Sequence, residues 1–309
     1  MEQKLYKFSG AGNDFVVIDG REGDVAAFRD AVRITALCRQ YQTDGLMILG
    51  AGEMPGQAGH DEGRQPGSGV MAGSDRPSVD FIMEYYNSDG SGGMMCGNGG
   101  RCIVAFADYL GIRPADRART AEGVTAAPGV FLFRAPDGLH TGEILERPSD
   151  GLWEVRLKMI DVHGVTPLLG GLFLNTGTRH FVKFVPDVEQ VDIDAEGKAL
   201  RWNPAFAPEG TNVNFVHIAP DGLHVRTFEK GVEGETLACG TGLTASAIAA
   251  CTRSCPSRQD TAPGSVGYRL KARRDWLSVD FTPGPESTFT DVYLTGPAQL
   301  LSVNELIIQ

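Results

Sequence analysis

Two stretches of this chain say the same thing. CGNGGRCIVAFA begins at Cys96 and CGTGLTASAIAA at Cys239, 143 residues later (239 − 96 = 143). Each sets Cys-Gly-polar-Gly at the mouth of a run of small and apolar residues. Upstream, GNDFVVID from Gly12 is echoed by GTRHFVKFV from Gly177, offset by one residue. Glycine to cysteine spans 84 residues in the first copy (96 − 12) and 62 in the second (239 − 177). The excess of 22 is about what the Gly- and Pro-rich stretch 50–78 supplies, a surface loop by composition. Repetition on this scale predicts two similar halves. The second helix is apolar almost all round (Ala245, Ala247, Ile248, Ala249, Ala250), as a helix wrapped by sheet should be. The expected class is therefore α/β (α+β): two pseudo-symmetric domains, each a strand-rich antiparallel or mixed sheet around a central helix.

Apolar patterning predicts strands over 5–8, 15–19, 46–49, 80–86, 130–134, 153–159, 171–175, 181–185, 212–218, 223–228, 268–281 and 291–303. It predicts helices over 28–41, with Val32, Ile34, Leu37 and Cys38 on the apolar face, and over 97–110, 194–202 and 240–253. At 309 residues the chain can bury two cores. A net charge of −11 argues against nucleic acid or anionic lipid as partners. No apolar run is long enough to span a membrane. The first residues, MEQKLYKFSG, lack a secretory pattern, so a cytoplasmic location is expected. Six cysteines in a reducing compartment should be free thiols. Cys38, Cys102, Cys251 and Cys255 suit a buried apolar role. Zinc is disfavoured, since Cys251 and Cys255 have no second ligand pair nearby.

Cys96 and Cys239 are different. The first N–H groups of a helix have no partner inside it and favour an anion. A cysteine there is expected to ionise below its usual value of about 8.5. One such cysteine suggests a nucleophile; two in matched halves suggest a symmetric task. Inverting a carbon centre needs a base on one face and an acid on the other, and a thiolate and a thiol can fill those roles. The helix N-termini can stabilise the charge that develops on a substrate carboxylate. A buried small residue beside a tight turn is the alternative for either cysteine alone.

These residues resemble the diaminopimelate epimerase family over essentially the whole chain outside 50–78. The pattern N-x-D-G-S-x4-C-G-N-G-x-R-C is matched from Asn87 to Cys102. E-x-x-x-x-E-T-x-x-C-G-T-G resembles the run from Glu229 through Glu235 and Thr236 to Gly242, and G-N-D-F stands at Gly12 to Phe15. The resemblance implies a fold whose last strand returns to the first domain. The halves would then be 1–135 plus 290–309 and 136–289, with the active site in the cleft between them. It implies interconversion of LL- and meso-2,6-diaminopimelate in lysine and peptidoglycan precursor synthesis. Neither pyridoxal phosphate nor metal would take part, and a homodimer is implied. By family convention Cys96 is the proton donor and Cys239 the acceptor. His180 and Glu229 match a pair flanking the site. Asn13, Asn87, Asn212, Gly97, Asn98, Gly240, Thr241, Glu229 and Lys230 fall at substrate-binding positions. For any one Asn a turn role is an equal reading, and His180 alone could be a satisfied strand-end histidine.

Two departures bear on substrate. Lys230 stands where the family usually has Arg, a point charge in place of a two-pronged grip. Thr178-Arg179-His180 stands where Asn-Pro-His is common, which makes Arg179 a candidate holder of the distal carboxylate. The alternative enzyme is a related racemase of the proline, hydroxyproline or histidine type. An isomerase of the phenazine-biosynthesis type would share the fold without the paired cysteines. A catalytically dead binding protein would lack one cysteine or its glycines, and this chain keeps both sets.

Overall fold

The computed structural model describes residues 2–52, 78–93, 95–115, 129–254 and 264–307. Most of the expected loop 50–78, and Cys255, lie outside the described residues. The first half contains β1 (Glu2–Gly10), β2 (Asn13–Asp19), β3 (Gly45–Ala51), β4 (Phe81–Asn87), β5 (Val130–Ala135), β6 (Gly138–Ser149) and β7 (Leu152–Lys158). After the short β8 (Val162–His163) and β9 (Thr166–Leu168) come β10 (Gly171–Asn175), β11 (Arg179–Phe184), β12 (Asn212–Ala219), β13 (Gly222–Glu229), β14 (Gly234–Thr236), β15 (Val266–Lys271), β16 (Trp276–Pro283) and β17 (Thr288–Ile307).

Strand pairing carries the repeat. In the first half β1 pairs antiparallel with β2, β2 parallel with β3, β3 antiparallel with β4, β4 parallel with β5, and β5 to β7 form an antiparallel run. The second half repeats that order with β10, β11, β12, β13, β15, β16 and β17. The ends are exchanged. β17 leaves β16 after Thr295 and runs along β7 and then β1, while β9 pairs with β10.

Both faces of the central strands are buried, which is why they read as continuous apolar runs. In β2, Phe15 and Val17 face the inner core while Val16 and Ile18 face outward; β3 divides Met47 and Leu49 from Leu46 and Ile48 in the same way. The inner face wraps α2 (Gly97–Tyr109) in the first half and α4 (Gly240–Ser254) in the second. The outer faces are covered by α1 (Ala31–Tyr41) and α3 (Ile193–Arg201), each linking a parallel pair. Asp30 and Asp192 cap them, accepting from Arg33 N at 2.9 Å and Ala195 N at 3.0 Å. Among the described residues no helix is long and apolar enough to cross a membrane.

Some expectations need correction. Helix α1 starts three residues later than the expected 28, after a 3-10 turn at Ala26–Arg29, and Val32 is 78% exposed. Strand β6 escaped notice because its second half, ending Glu-Arg-Pro-Ser, is exposed and carries no apolar alternation. The run 268–281 is two strands with a turn between. The one-residue offset between the repeats disappears as well. Phe15 and His180 each stand beside the first residue of the next strand, Gly45 and Asn212, and Gly12 and Gly177 share a φ of +108°. The sequence division falls at 135/136, ahead of β6; since β6 and β7 continue the first set of pairings, we propose that the halves divide after Lys158.

The halves meet at the starts of α2 and α4. A Cβ placed on Gly97 would lie 3.7 Å from Gly240 Cα, and one on Gly240 would lie 3.5 Å from Gly97 Cα. Leu294 of β17, fully buried, supports both, with Cδ2 3.1 Å and 2.9 Å from those two points. Replacing Leu294 with Ala should cost about 2–5 kcal/mol by loss of apolar contact and a residual cavity. Urea unfolding should show a lower midpoint at unchanged slope, together with reduced turnover as the helix starts lose their support. A loss under about 1 kcal/mol would mean that Leu294 does not hold this junction.

Candidate active site

Cys96 and Cys239 open the two abutting helices. Cys96 is the N-cap of α2, with extended backbone (φ −99°, ψ 149°); its carbonyl accepts from Gly100 N at 2.8 Å and its Sγ from Gly99 N at 3.2 Å. Cys239 repeats the arrangement: its carbonyl accepts from Leu243 N at 2.9 Å, and its Sγ lies 3.5 Å from Thr241 Oγ1. A side chain at the third residue of each helix would be crowded, mildly in the first and severely in the second. A Cβ on Gly99 would press on Cys96 Sγ and Met47 Sδ, both at 3.3 Å, and one on Gly242 would collide with Asn214 Oδ1.

Burial reverses the expected ionisation. It pushes the Cys96 thiol up, partly offset by the Gly99 N–H, and pushes Cys239 up to about 12. The carboxylate of Glu229 adds to both shifts, and each helix N-terminus is outweighed by desolvation. Glu229 is itself raised by burial, while its Oε2 accepts from Thr236 Oγ1 at 2.8 Å.

His180 is fully buried on β11, and burial holds it down to about 3, so the ring is neutral. Its Nε2 lies 2.9 Å from Thr178 Oγ1 and 3.0 Å from Thr241 Oγ1, and its Nδ1 lies 3.0 Å from Asn214 Nδ2. His180 thus reaches Cys239 through Thr241, and its hydrogen bonds go to Thr178, Thr241 and Asn214 rather than to Glu229.

The asparagines are largely spent inside the protein. Asn98, 3% exposed, donates to Asn13 Oδ1 and to the Ala238 carbonyl at 3.2 Å, so it ties the halves together. Asn212 accepts from Lys230 N at 2.8 Å and donates to the Arg179 carbonyl at 3.0 Å. Asn87 donates to Ser91 Oγ at 3.0 Å. Lys230 is exposed at the end of β13. Arg179 does not share the face of His180: it stacks on Phe173, 5.2 Å from the ring centre, and pairs with Glu209 at 2.9 Å.

Four residues with a part in this geometry have no role assigned from sequence. Asn214 and Thr227 are buried polar residues on β12 and β13, and Thr227 Oγ1 donates to Asn214 Oδ1 at 3.0 Å. A second Asn two positions after Asn212 in an apolar strand was the available signal. Arg101, inside the repeated motif, is fully buried and donates to the Gly97 carbonyl at 3.1 Å and Asn98 Oδ1 at 2.9 Å. Tyr85 is buried close to Cys96, and burial together with that thiol raises its phenol.

The family model of diaminopimelate epimerase matches residues 172–279. A diaminopimelate epimerase of Flavobacterium psychrophilum is 34% identical, with 96% of this chain and 98% of that protein covered. One of Aquifex aeolicus is 36% identical, with 95% and 94% covered. Two solved structures share the fold at low identity. A phenazine biosynthesis protein of Bacillus anthracis gives a TM-score of 0.66 at 10% identity, covering all of both chains. A probable proline racemase of Agrobacterium radiobacter gives 0.59 at 14%, covering 99% and 93%. With paired cysteines at its two helix starts, and relatives matched from end to end at this identity, the chain belongs to the diaminopimelate epimerase family.

Proposed function

We propose that this enzyme interconverts LL- and meso-2,6-diaminopimelate, with Cys96 and Cys239 as acid and base on opposite faces of one α-carbon. The observation that carries the reading is the abutment of two helix N-termini at Gly97 and Gly240, each directly preceded by a cysteine. The unpartnered N–H groups at those starts suit the reacting carboxylate and the extra charge it gains when the α-proton leaves. Cys239 as thiolate takes that proton while the Cys96 thiol delivers one to the other face; the reverse reaction exchanges the roles. Burial serves this chemistry, because a desolvated thiolate is a stronger base than a hydrated one. Asn13, Asn98 and Asn212 shape the cleft through bonds to protein groups. Asn87, Glu229, Lys230, Gly97, Gly240 and Thr241 border the reacting substrate, and His180 acts behind Thr241.

Chiral chromatography with LL-diaminopimelate tests the reading. Wild type should give the meso form with solvent deuterium at the inverted carbon in heavy water. Cys96→Ala and Cys239→Ala should each lose about 10²–10⁴-fold in kcat. Full activity in either variant would remove that cysteine from the reaction.

The pH profile follows from the raised thiols. Catalysis needs one thiol and one thiolate, and burial keeps both protonated near neutrality. The thiolate fraction therefore grows as pH rises toward the shifted values. kcat/KM should climb about tenfold per unit from about pH 6 to about pH 8. A flat profile there would mean that the thiolate is already formed.

A further inference from the structure

The cysteines stand in matching frames with unlike walls behind them. Met47 pairs across strands with Tyr85, and Asn214 with Thr227. With Phe15 equivalent to His180, the trio Phe15, Met47 and Tyr85 in the first half becomes His180, Asn214 and Thr227 in the second. The wall behind Cys96 is thus mainly apolar, and Gly99 packs on Met47 and Met83. The wall behind Cys239 is a run of hydrogen bonds with a fixed direction.

That direction can be read from the amide. Asn214 Nδ2 also lies 3.3 Å from the Phe181 carbonyl, and its Oδ1 accepts from Thr227, so the nitrogen is the atom facing His180. His180 Nδ1 must then accept, which leaves its proton on Nε2. Nε2–H points at the paired hydroxyls of Thr178 and Thr241, whose oxygens lie 2.9 Å and 3.0 Å from Nε2 and 3.3 Å from each other. With the ring proton facing both oxygens, neither hydroxyl can give its own proton to Nε2, and that of Thr241 is left for Thr178 Oγ1 or Cys239 Sγ, of which a thiolate is the stronger acceptor. Resting on the reading of Cys239 as an acid/base group, we propose that Asn214 is a positioning residue that locks His180 in its Nε2–H tautomer, so that Thr241 donates to the Cys239 thiolate.

The device matters because the ionisable groups that bear most on Cys239 disfavour its charge. Glu229 on β13 and Cys96 on α2 both disfavour a negative sulfur, and neutral His180 on β11 offers no countercharge. The Thr241 hydroxyl and the Gly242 N–H are the groups that offset burial. A reversed ring would make Nε2 an acceptor, draw the Thr241 proton to itself and turn an oxygen lone pair toward the sulfur.

Two substitutions separate the possibilities. Asn214→Asp keeps the shape but accepts from Nδ1–H, which reverses the tautomer. Asn214→Met copies the first half and neither donates nor accepts. Nitrogen-15 spectra of histidine, with His180 assigned by its loss in His180→Asn, should show a protonated Nε2 in wild type and a protonated Nδ1 in Asn214→Asp. Alkylation of Cys239 by iodoacetamide at about pH 8, followed on its own peptide, should slow about tenfold in Asn214→Met as the thiolate fraction falls. Cys96 in the same sample should keep its alkylation rate and so report an intact fold. In Asn214→Met kcat should fall about tenfold with KM within about twofold, as expected when a charge-stabilising group and not a binding group is lost. The spectra and the alkylation need no substrate, so they stand apart from the choice of diaminopimelate. A protonated Nδ1 in wild type, or an unchanged rate of Cys239 alkylation in a folded Asn214→Met, would overturn the proposal.

Discussion

The contact between the backbones of Gly97 and Gly240 governs the rest of the molecule. Two helix N-termini repel one another, since each carries partial positive charge. They are held together here by what surrounds them. Leu294 packs under both, and the Asn98 amide reaches across to Ala238. Arg101 adds a further tie, because its guanidinium gathers the carbonyls of Gly97, Gly10 and Pro297 from α2, β1 and β17. A buried guanidinium whose hydrogen bonds go to carbonyls is costly to place. Its position at the junction gives a physical reason to tolerate that cost: it binds the negative ends of peptide groups from three elements that must converge. A Cβ at either glycine would fill the gap to the opposite helix at ordinary contact distance and press on Leu294 Cδ2, so the crowding falls on the residue that supports the junction.

Symmetry of frame with asymmetry of wall is the second theme. Desolvation acts on both sulfurs alike and favours the thiols, which suits an acid and obstructs a base. A two-base reaction needs one of each at any moment. At the start of α2, packed on Met47 and Met83, burial keeps Cys96 a thiol against the opposing pull of the Arg101 guanidinium. The polar wall of the second half works against desolvation without adding a full charge. A buried cation beside Cys239 would favour its thiolate more strongly, but would also weaken it as a base toward a weakly acidic carbon. Neutral donors are the gentler correction.

How much of this could be read from the chain divides along a physical line. The paired Cys-Gly-x-Gly motifs, the helices behind them and most strands were legible, because burial leaves periodic apolar residues. What those residues touch was not. Asn98 and Asn212 look like free substrate amides in sequence, and in the fold their oxygens and nitrogens are engaged by protein groups. Arg179 sits one residue from His180, and the period of a strand sends it to the opposite face. The lowered ionisation expected at a helix start ignored how deeply the sulfurs are surrounded, which only packing decides. The offset between GNDFVV and GTRHFV came from matching Phe15 to Phe181 by type. The sheet instead matches Phe15 to His180, and that exchange of an aromatic for an imidazole is where the halves diverge chemically.

The exchanged strands limit how the site can open. β17 is shared, pairing with β16 up to Thr295 and with β1 from Gln299 onward. Separating the halves as rigid bodies would break the β1 ladder, whose pairs run from Glu2 with Ile307 to Ser9 with Gln299. That is a large loss against the few kcal/mol by which domains are stable. Any relative rotation must instead be taken up at the step from Thr295 to Gly296, where β17 passes from its ladder with β16 to the one with β7 that runs from Gly296 with Val155 to Gln299 with Leu152. Leu294 and the Arg101 contact at Pro297 flank that passage. Leu294, one residue before that step, also packs under both helix starts, so a rotation of one half against the other there bears directly on how closely Gly97 and Gly240 approach.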